Sequence, residues 1–357
     1  MSATVSHLGQ HLRPFTKGTR WAVPSEVEPA VLVTGATGFV GINLLHALSS
    51  SGIRAIGMAS NPLPQTALNS IAEIGPVPIV ELVDVRDSTA VSKLFLEYRP
   101  TVVIHAAAIT SGVERERTSA RTIVDVNVGG TQSVLDACTA SEVQRMLYLS
   151  SGAVYGEAAF GTELLSETTA AVPAGLYGAT KLAGEFLVKR HHQLHGLATV
   201  TARLSAVFGP WEYPTGVRDL MSPILQLDLA ARRRESSRYV VDAARNWVYA
   251  PEAAAAIVGL ALKQEPGHDC YNVCPQSLGT CEPWVERLRR TYPDTAFVAV
   301  PSPKDATVAY DADPRRERAL VKADRIQQEL GNGLWSTHED SLDHYLAWLE
   351  THDPTDS

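Results

Sequence analysis

The segment Ala30-Val-Leu-Val-Thr-Gly35-Ala-Thr-Gly38-Phe-Val-Gly41 is an apolar run ending in three glycines spaced three apart, and it passes directly into Ile42-Asn-Leu-Leu-His-Ala-Leu48. This order predicts a buried strand, a tight turn and a helix, the setting in which a glycine-rich turn holds a dinucleotide. Each glycine has a physical task. One makes the turn, a second lets the backbone approach a pyrophosphate, and a third lets helix and strand pack closely. The helix N-terminus adds unpaired N–H donors and a positive dipole. Gly35, Thr37, Gly38, Phe39, Val40 and Gly41 are therefore candidate cofactor contacts.

From Ala30 to about Leu204 short β-branched runs alternate with longer amphipathic stretches, which predicts a doubly wound α/β fold, a parallel sheet covered by helices on both faces. Strands are expected at Ala30–Thr34, Arg54–Met58, Pro78–Val83, Val102–Ala106, Arg145–Ser150 and Ala198–Leu204. Helices are expected at Phe39–Ser51, Ser88–Tyr98, Ala120–Ala140 and Tyr177–His195. Ligands of such sheets sit beyond the carboxyl ends of the strands. After Gly209-Pro210 the rhythm breaks: prolines, a Thr-Gly turn and an arginine run fill Trp211–Val241. Arg245–Tyr249 and Tyr271–Cys274 then read as short strands and Pro251–Lys263 as an alanine-rich helix. A helix after Cys281, a strand Ala296–Val300 and helices around Ala323–Leu330 and His338–Thr351 complete the chain. The division expected is an N-terminal tail over residues 1–28, a dinucleotide-binding Rossmann domain over 29–209 and about 244–275, and a smaller, discontinuous substrate domain over about 210–243 and 276–357.

The 357-residue chain is 45% hydrophobic and 20% charged, the balance of a globular protein, and its formal net charge of −8 disfavours nucleic acid or anionic membrane as a partner. A small molecule is expected instead. No window approaches the ~18 apolar residues of a membrane span. Cys138, Cys270, Cys274 and Cys281 follow no apolar leader and read as reduced thiols of a cytoplasmic protein; their spacing suits no zinc site, and no metal is expected. Residues 1 to 25 carry Arg13, Lys17 and Arg20 without an amphipathic apolar face, and read as a flexible or capping tail.

Tyr177 and Lys181 lie four apart and share one face of a helix. A tyrosine with an ordinary pKa of about 10 is a poor base at neutral pH, but a nearby ammonium favours its phenolate. Ser151, just after a predicted strand, is placed to hold a substrate oxygen while Tyr177 moves the proton and hydride passes to or from a nicotinamide.

With these residues in hand, the chain resembles the extended short-chain dehydrogenase/reductase family, of the NAD-dependent epimerase/dehydratase type, from about Ala30 to Leu349. Thr34-Gly35-Ala-Thr-Gly38-Phe-Val-Gly41 is similar to its cofactor loop, Asp84-Val85 to its adenine-side acidic position and His105-Ala-Ala-Ala108 to the turn beside the cofactor. Asn127, the segment Ser150-Ser151-Gly-Ala-Val-Tyr155-Gly156, and the runs Arg203–Pro210 and Arg245–Tyr249 resemble its further markers. The resemblance implies catalysis by Ser151, Tyr177 and Lys181. It implies cofactor contacts at Ser60, Asp84, Val85, Ala106, Ala107, Ala108 and Asn127 besides the glycine loop and the Tyr177–Lys181 pair, and substrate contacts at Thr110, Ser151, Arg218 and Arg245. A homodimer is expected.

Departures narrow the reaction. Dehydratases of this family place an Asp-Glu pair just after the serine position, where this chain has Gly152-Ala153, so dehydration is disfavoured. The segment Thr215–Pro223 and the run Val241-Asp-Ala-Ala-Arg245 replace the usual nucleotide-sugar markers, favouring a smaller sugar-like substrate. After the second strand, Gly57-Met-Ala-Ser60-Asn61 offers neither acid nor arginine, so NAD is expected with NADP also accepted. His191, His192, His195 and the run Arg232-Arg-Arg234 read as solvated faces, and Arg245 either as a substrate contact or as part of a surface ion pair. The leading expectation is an NAD(P)-dependent oxidoreductase acting on a secondary alcohol or ketone of a polyhydroxylated small molecule. The alternatives are a nucleotide-sugar epimerase and a non-catalytic NAD(P)-binding regulator.

Overall fold

The structure, a computed structural model, describes residues 30–160, 164–241, 244–310 and 316–352; the N-terminal tail expected over 1–28 lies outside them. Seven strands form one parallel sheet in the order β3-β2-β1-β4-β5-β7-β11. These are β1 (Val31–Thr34), β2 (Ala55–Ala59), β3 (Ile79–Leu82), β4 (Val102–His105), β5 (Arg145–Ser151), β7 (Ala198–Leu204) and β11 (Cys270–Val273); the short β6 (Leu164–Leu165) lies outside the sheet. Strand order reverses between β1 and β4, paired Val31↔Val102 to Thr34↔His105, and a crevice opens beyond their carboxyl ends. Central strands are buried on both faces, which is why β1 and β4 read as unbroken apolar runs rather than alternating ones.

Helices α1 (Phe39–Ser50), α2 (Gln65–Ala72), α3 (Ser88–Tyr98), α4 (Val113–Val124), α5 (Gly130–Ala140) and α6 (Leu176–His195) connect the first strands and layer the sheet. One apolar core packs α1 and α8 (Ala250–Leu262) against one face; a second, with Val91, Phe95, Val134 and Val188, fills the other. The Ala120–Ala140 stretch is not a single helix. α4 begins earlier, kinks at Ser119, and is joined to α5 through a π turn at Asp125–Gly129. At this junction Gly130 packs closely, since a Cβ on it would stand 2.6 Å from the Val85 side chain.

The C-terminal elements are α7 (Pro223–Arg232), α9 (Glu282–Thr291), α10 (Asp324–Leu330) and α11 (His338–Leu349), with parallel strand pairs β8 (Ala206–Phe208) with β10 (Trp247–Tyr249), β9 (Ser237–Val240) with β12 (Phe297–Val300), and β6 with β13 (Leu320–Val321). A third apolar core centred on Phe208, Trp284 and Tyr345 holds α7, α9, α11, β8, β9, β10 and β12 together, while Ile326 of α10 joins the core beneath α8 and Leu165 of β6 packs in a separate cluster with Ala319. β11 joins the main sheet beside β7, Cys270↔Thr201 to Val273↔Leu204.

Two further expectations are corrected. His191 is not solvated: it is buried, with Nε2 2.6 Å from the Thr139 hydroxyl, because that side of α6 packs on α5. Arg232 is not simply a solvated charge either; its Nε donates to buried Asp228 and its Nη2 to the Leu349 carbonyl. All four cysteines are free thiols, and among the described residues no cluster that could hold a metal ion occurs. No described helix is long and apolar enough to cross a membrane.

Candidate active site

The three glycines divide their tasks as the turn requires. Gly35 has φ +66°, and a Cβ there would press on the Ala107 backbone at 2.7 Å. A Cβ on Gly41 would collide with the Gly35 carbonyl and Ala36, so this glycine serves helix–strand packing. A Cβ on Gly38 would meet only the Gly35 carbonyl, at 3.3 Å. Its open side faces the cleft, and no side chain caps the α1 N-terminus that follows, leaving its N–H donors to an anion. The cradle therefore fits a dinucleotide pyrophosphate.

That loop forms one wall of a cleft of about 1710 Å³. Gly35, Thr37, Gly38, Phe39, Val40, Gly41, Ser60, Asp84, Val85, Ala106, Ala107, Ala108, Thr110, Ser151, Tyr177, Lys181, Arg218 and Arg245 all line it. Asn127 is the exception. It lies behind the wall, 1% exposed: its Oδ1 accepts from Ile109 N at 2.7 Å, and its Nδ2 donates to Ile109 O and to Thr180 Oγ1. Its amide is thereby committed to the strand-end loop that carries Thr110 and to the helix that carries Tyr177. Asp84 is ion-paired with Arg86 at 2.6 Å, which holds its carboxyl below the usual range.

His105 ends β4 and is fully buried. Thr131 donates to the Asn127 carbonyl, so its oxygen accepts from His105 Nε2; the Nδ1 of the neutral ring is then the acceptor and takes the Thr34 O–H at 2.7 Å, while Thr34 Oγ1 accepts from Ala107 N. The chain of bonds fixes one neutral tautomer, and burial pushes the His105 pKa down to about 3. The Ala106–Ala108 turn is held through Thr34, whose oxygen takes the Ala107 N–H at 3.1 Å and whose hydroxyl bonds this ring.

Tyr177 is the second residue of α6 and is partly buried in the cleft wall. Burial raises its phenol, opposed by hydrogen bonds with Ser151 and Thr110 and by the Arg218 charge. Ser151 ends β5, and its Oγ also accepts from Ala153 N at 3.1 Å. Lys181 stands one turn further along α6, its Nζ 4.5 Å from the Tyr148 ring centre; burial pushes it down to about 7, opposed by Glu185. Thr110 is bound through its backbone to Val217 and Asp219, so residues 217–219 close against it as a parallel bridge. Arg218 lies 5.0 Å over the Phe39 ring and pairs with buried Glu212 at 3.0 Å.

Arg245 is 5% exposed, so it is not a surface group, and it lines the cleft. Arg316 and Arg318, absent from the sequence reading, line it too, with their guanidinium groups 3.5 and 5.2 Å from the Phe160 ring centre. They sit in an irregular loop whose charges carry no periodic signal. Glu116, also unread in the sequence, accepts from Leu176 N at the start of α6.

Residues 31–274 match the model of the NAD dependent epimerase/dehydratase family. This chain belongs to that family. It is an enzyme of that family, and its cofactor is NAD. It is 25% identical to dTDP-glucose 4,6-dehydratase from Shigella flexneri, over 89% of this chain and 92% of that one. It is 32% identical to UDP-glucuronate 4-epimerase 1 from Arabidopsis thaliana, over 64% of this chain and 54% of the relative. Among solved structures, an epimerase from Methanothermobacter thermautotrophicus superposes with a TM-score of 0.76 at 20% identity, covering 98% and 97% of the two chains. UDP-glucose 4-epimerase from Thermotoga maritima superposes at 0.74 and 19% identity, covering 90% and 99%. These superpositions establish the fold.

Proposed function

We propose that this enzyme is a nucleotide-sugar epimerase that inverts a secondary alcohol through transient oxidation. The observation that carries this is the single cleft that runs from the glycine loop past Ser151 and Tyr177 to Arg245, Arg316 and Arg318. It has room beyond the hydride-transfer point for a diphosphate, and guanidinium groups to meet one. The names of the relatives agree with such substrates, which moves the reading away from the smaller sugar-like molecule expected from the missing markers. Gly152 and Ala153 stand where dehydratases of the family place their Asp-Glu pair, which separates this chain from its dehydratase relatives.

In this reading NAD supplies the hydride acceptor and later the donor. Tyr177 takes the proton from the substrate hydroxyl as its C–H bond gives up hydride, leaving a ketone. Ser151 and Thr110, which line the cleft with Tyr177, hold the reacting oxygen, and the Lys181 ammonium stabilises the phenolate. The ketone then turns within the cleft, and Tyr177 returns the proton as hydride adds to the other face. Arg218 bounds the sugar, and Arg245 the anionic end. In this reading residues 29–209 with about 244–275 form the cofactor half, and about 210–243 with 276–357 the substrate half. α4 and α6, which leave Val113 and Phe186 exposed, are the faces offered for a homodimer.

The test is incubation of the enzyme and NAD with UDP-glucose and with UDP-glucuronic acid. The expected outcome is a stereoisomer with no net gain of reduced-nicotinamide absorbance. Reduced nicotinamide accumulating in excess over enzyme would establish a dehydrogenase instead, and a keto-deoxy product from dTDP-glucose a dehydratase.

A further inference from the structure

Behind the cleft wall, outside the cavity, lies a buried ion pair that the proposed chemistry leaves unused. Arg203, near the end of β7, donates from Nε and Nη2 to the two carboxylate oxygens of Glu185 on α6, at 2.9 and 2.7 Å; their side chains are 8% and 12% exposed. A pair this buried is costly to desolvate, and as a stability device it is generally no better than apolar packing. Its position suggests another use.

Glu185 lies four residues after Lys181 and eight after Tyr177, so the three share one face of the helix. Its Oε1 also accepts from the Ser150 hydroxyl at 2.6 Å, one residue before Ser151. Arg203 is the register partner of Ser150 across β5 and β7. One carboxylate thus ties the strand bearing the serine to the helix bearing the tyrosine and lysine.

We infer that Glu185 and Arg203 are positioning residues for the proton-transfer set: the carboxylate fixes Ser151 against α6 through Ser150 and supplies the anion that keeps the buried Lys181 ammonium charged, while Arg203 holds that carboxylate in place. This rests on the proposed roles of Ser151, Tyr177 and Lys181. The other groups around the pair and Lys181 are Tyr148 and Ser150 on β5, His105 on β4, Tyr177 on α6, Cys270 on β11, Tyr155, whose ring centre lies 5.0 Å from the Arg203 guanidinium, and Glu167, whose backbone carbonyl accepts from Arg203 Nη1. His105 is neutral, burial holds the Tyr148 and Tyr155 phenols and the Cys270 thiol protonated, and the Glu167 carboxylate is engaged by Asn272 N and Arg325, so none of these replaces the Glu185 charge.

The test is a titration of Lys181 in the NAD-loaded protein, by NMR of carbon-13 labelled lysine, the resonance assigned by its loss in Lys181→Met. Glu185→Gln keeps an acceptor for Ser150 but leaves Arg203 as an unpaired cation, so the Lys181 midpoint should fall by about one pH unit. Arg203→Met removes a cation and leaves the anion, so the midpoint should rise. Opposite movements are the signature; equal movements, or none, would reduce the pair to a structural contact. If a single variant does not fold, Glu185→Gln/Arg203→Met leaves no unpaired ion. Its midpoint should still fall, because Glu185 is the member that acts on Lys181, and an unmoved midpoint would overturn the inference. Turnover of UDP-glucose by Tyr177→Phe at the wild-type rate would instead remove the catalytic reading, while the lysine titration would stand by itself.

Discussion

At the residue scale the decisive groups are those whose charge state burial dictates. His105 was visible in the sequence as the head of a turn beside the cofactor, but not as a ring locked between Thr34 and Thr131, because those three residues come together only when β1, β4 and α5 are assembled. His46 was not visible at all; it stacks on Trp211, and burial, with the His352 charge, pushes it down to about 4. Both histidines stay neutral when folded, while an unfolded histidine takes a proton below about pH 6.5. The unfolded chain therefore binds more protons in that range, and stability falls as pH falls. Each should cost about 1.4 kcal/mol per pH unit, down to about pH 4 for His46 and about pH 3 for His105. Urea denaturation at pH 7 and pH 5 checks this. His46→Gln should lose less stability between the two than wild type, and an equal loss in both proteins would remove His46 from the account.

Elements built from local signals were the most legible. The glycine turn, β1 and α1 were read almost to the residue because one contiguous segment carries the turn, the apolar run and the helix face. The π turn at Asp125–Gly129 was not, since it aims Asn127 at Ile109 and Thr180, partners remote in sequence. Within the glycine loop, neighbouring positions should fail in different ways. Gly38→Val fills the cleft side of the turn and should weaken NAD binding at least ~10-fold, about 1.4 kcal/mol, with the fold retained. Gly41→Ala drives a methyl into the Gly35 carbonyl and Ala36, so its loss should appear first as a lower unfolding midpoint. Calorimetric NAD titration beside thermal unfolding separates them; the reverse pattern would reassign which glycine faces the cofactor.

At the scale of the whole molecule, the cleft exists because the segment after Gly209 is fastened across the glycine loop. Tyr213 donates its hydroxyl to the Thr37 carbonyl at 2.6 Å, and Asn43 donates to both the Phe39 and Pro210 carbonyls. Between these staples, Trp211 holds φ +66° and is surrounded by His46, Trp348 and His352. A bulky residue in that conformation is strained, and it persists only where surrounding contacts outweigh the strain. These ring partners come from beyond the segment: one from α1, one from α11 and one from just after it. The sequence announced a C-terminal helix but not what it covers, since nothing in a helical period names a partner near the opposite end of the chain. If this aromatic stack holds the segment down, Trp348→Ala should do two things at once. It should cost about 2 kcal/mol of stability, less than the ~3–5 kcal/mol of a fully buried tryptophan because Trp348 is only partly covered. It should also weaken NAD binding several-fold, because the released segment carries Tyr213 away from Thr37 in the cofactor loop. Urea denaturation with and without NAD reads both effects. A stability loss with NAD affinity unchanged would mean that the stack supports only the C-terminal helix, and that Tyr213 and Asn43 suffice to close the cleft.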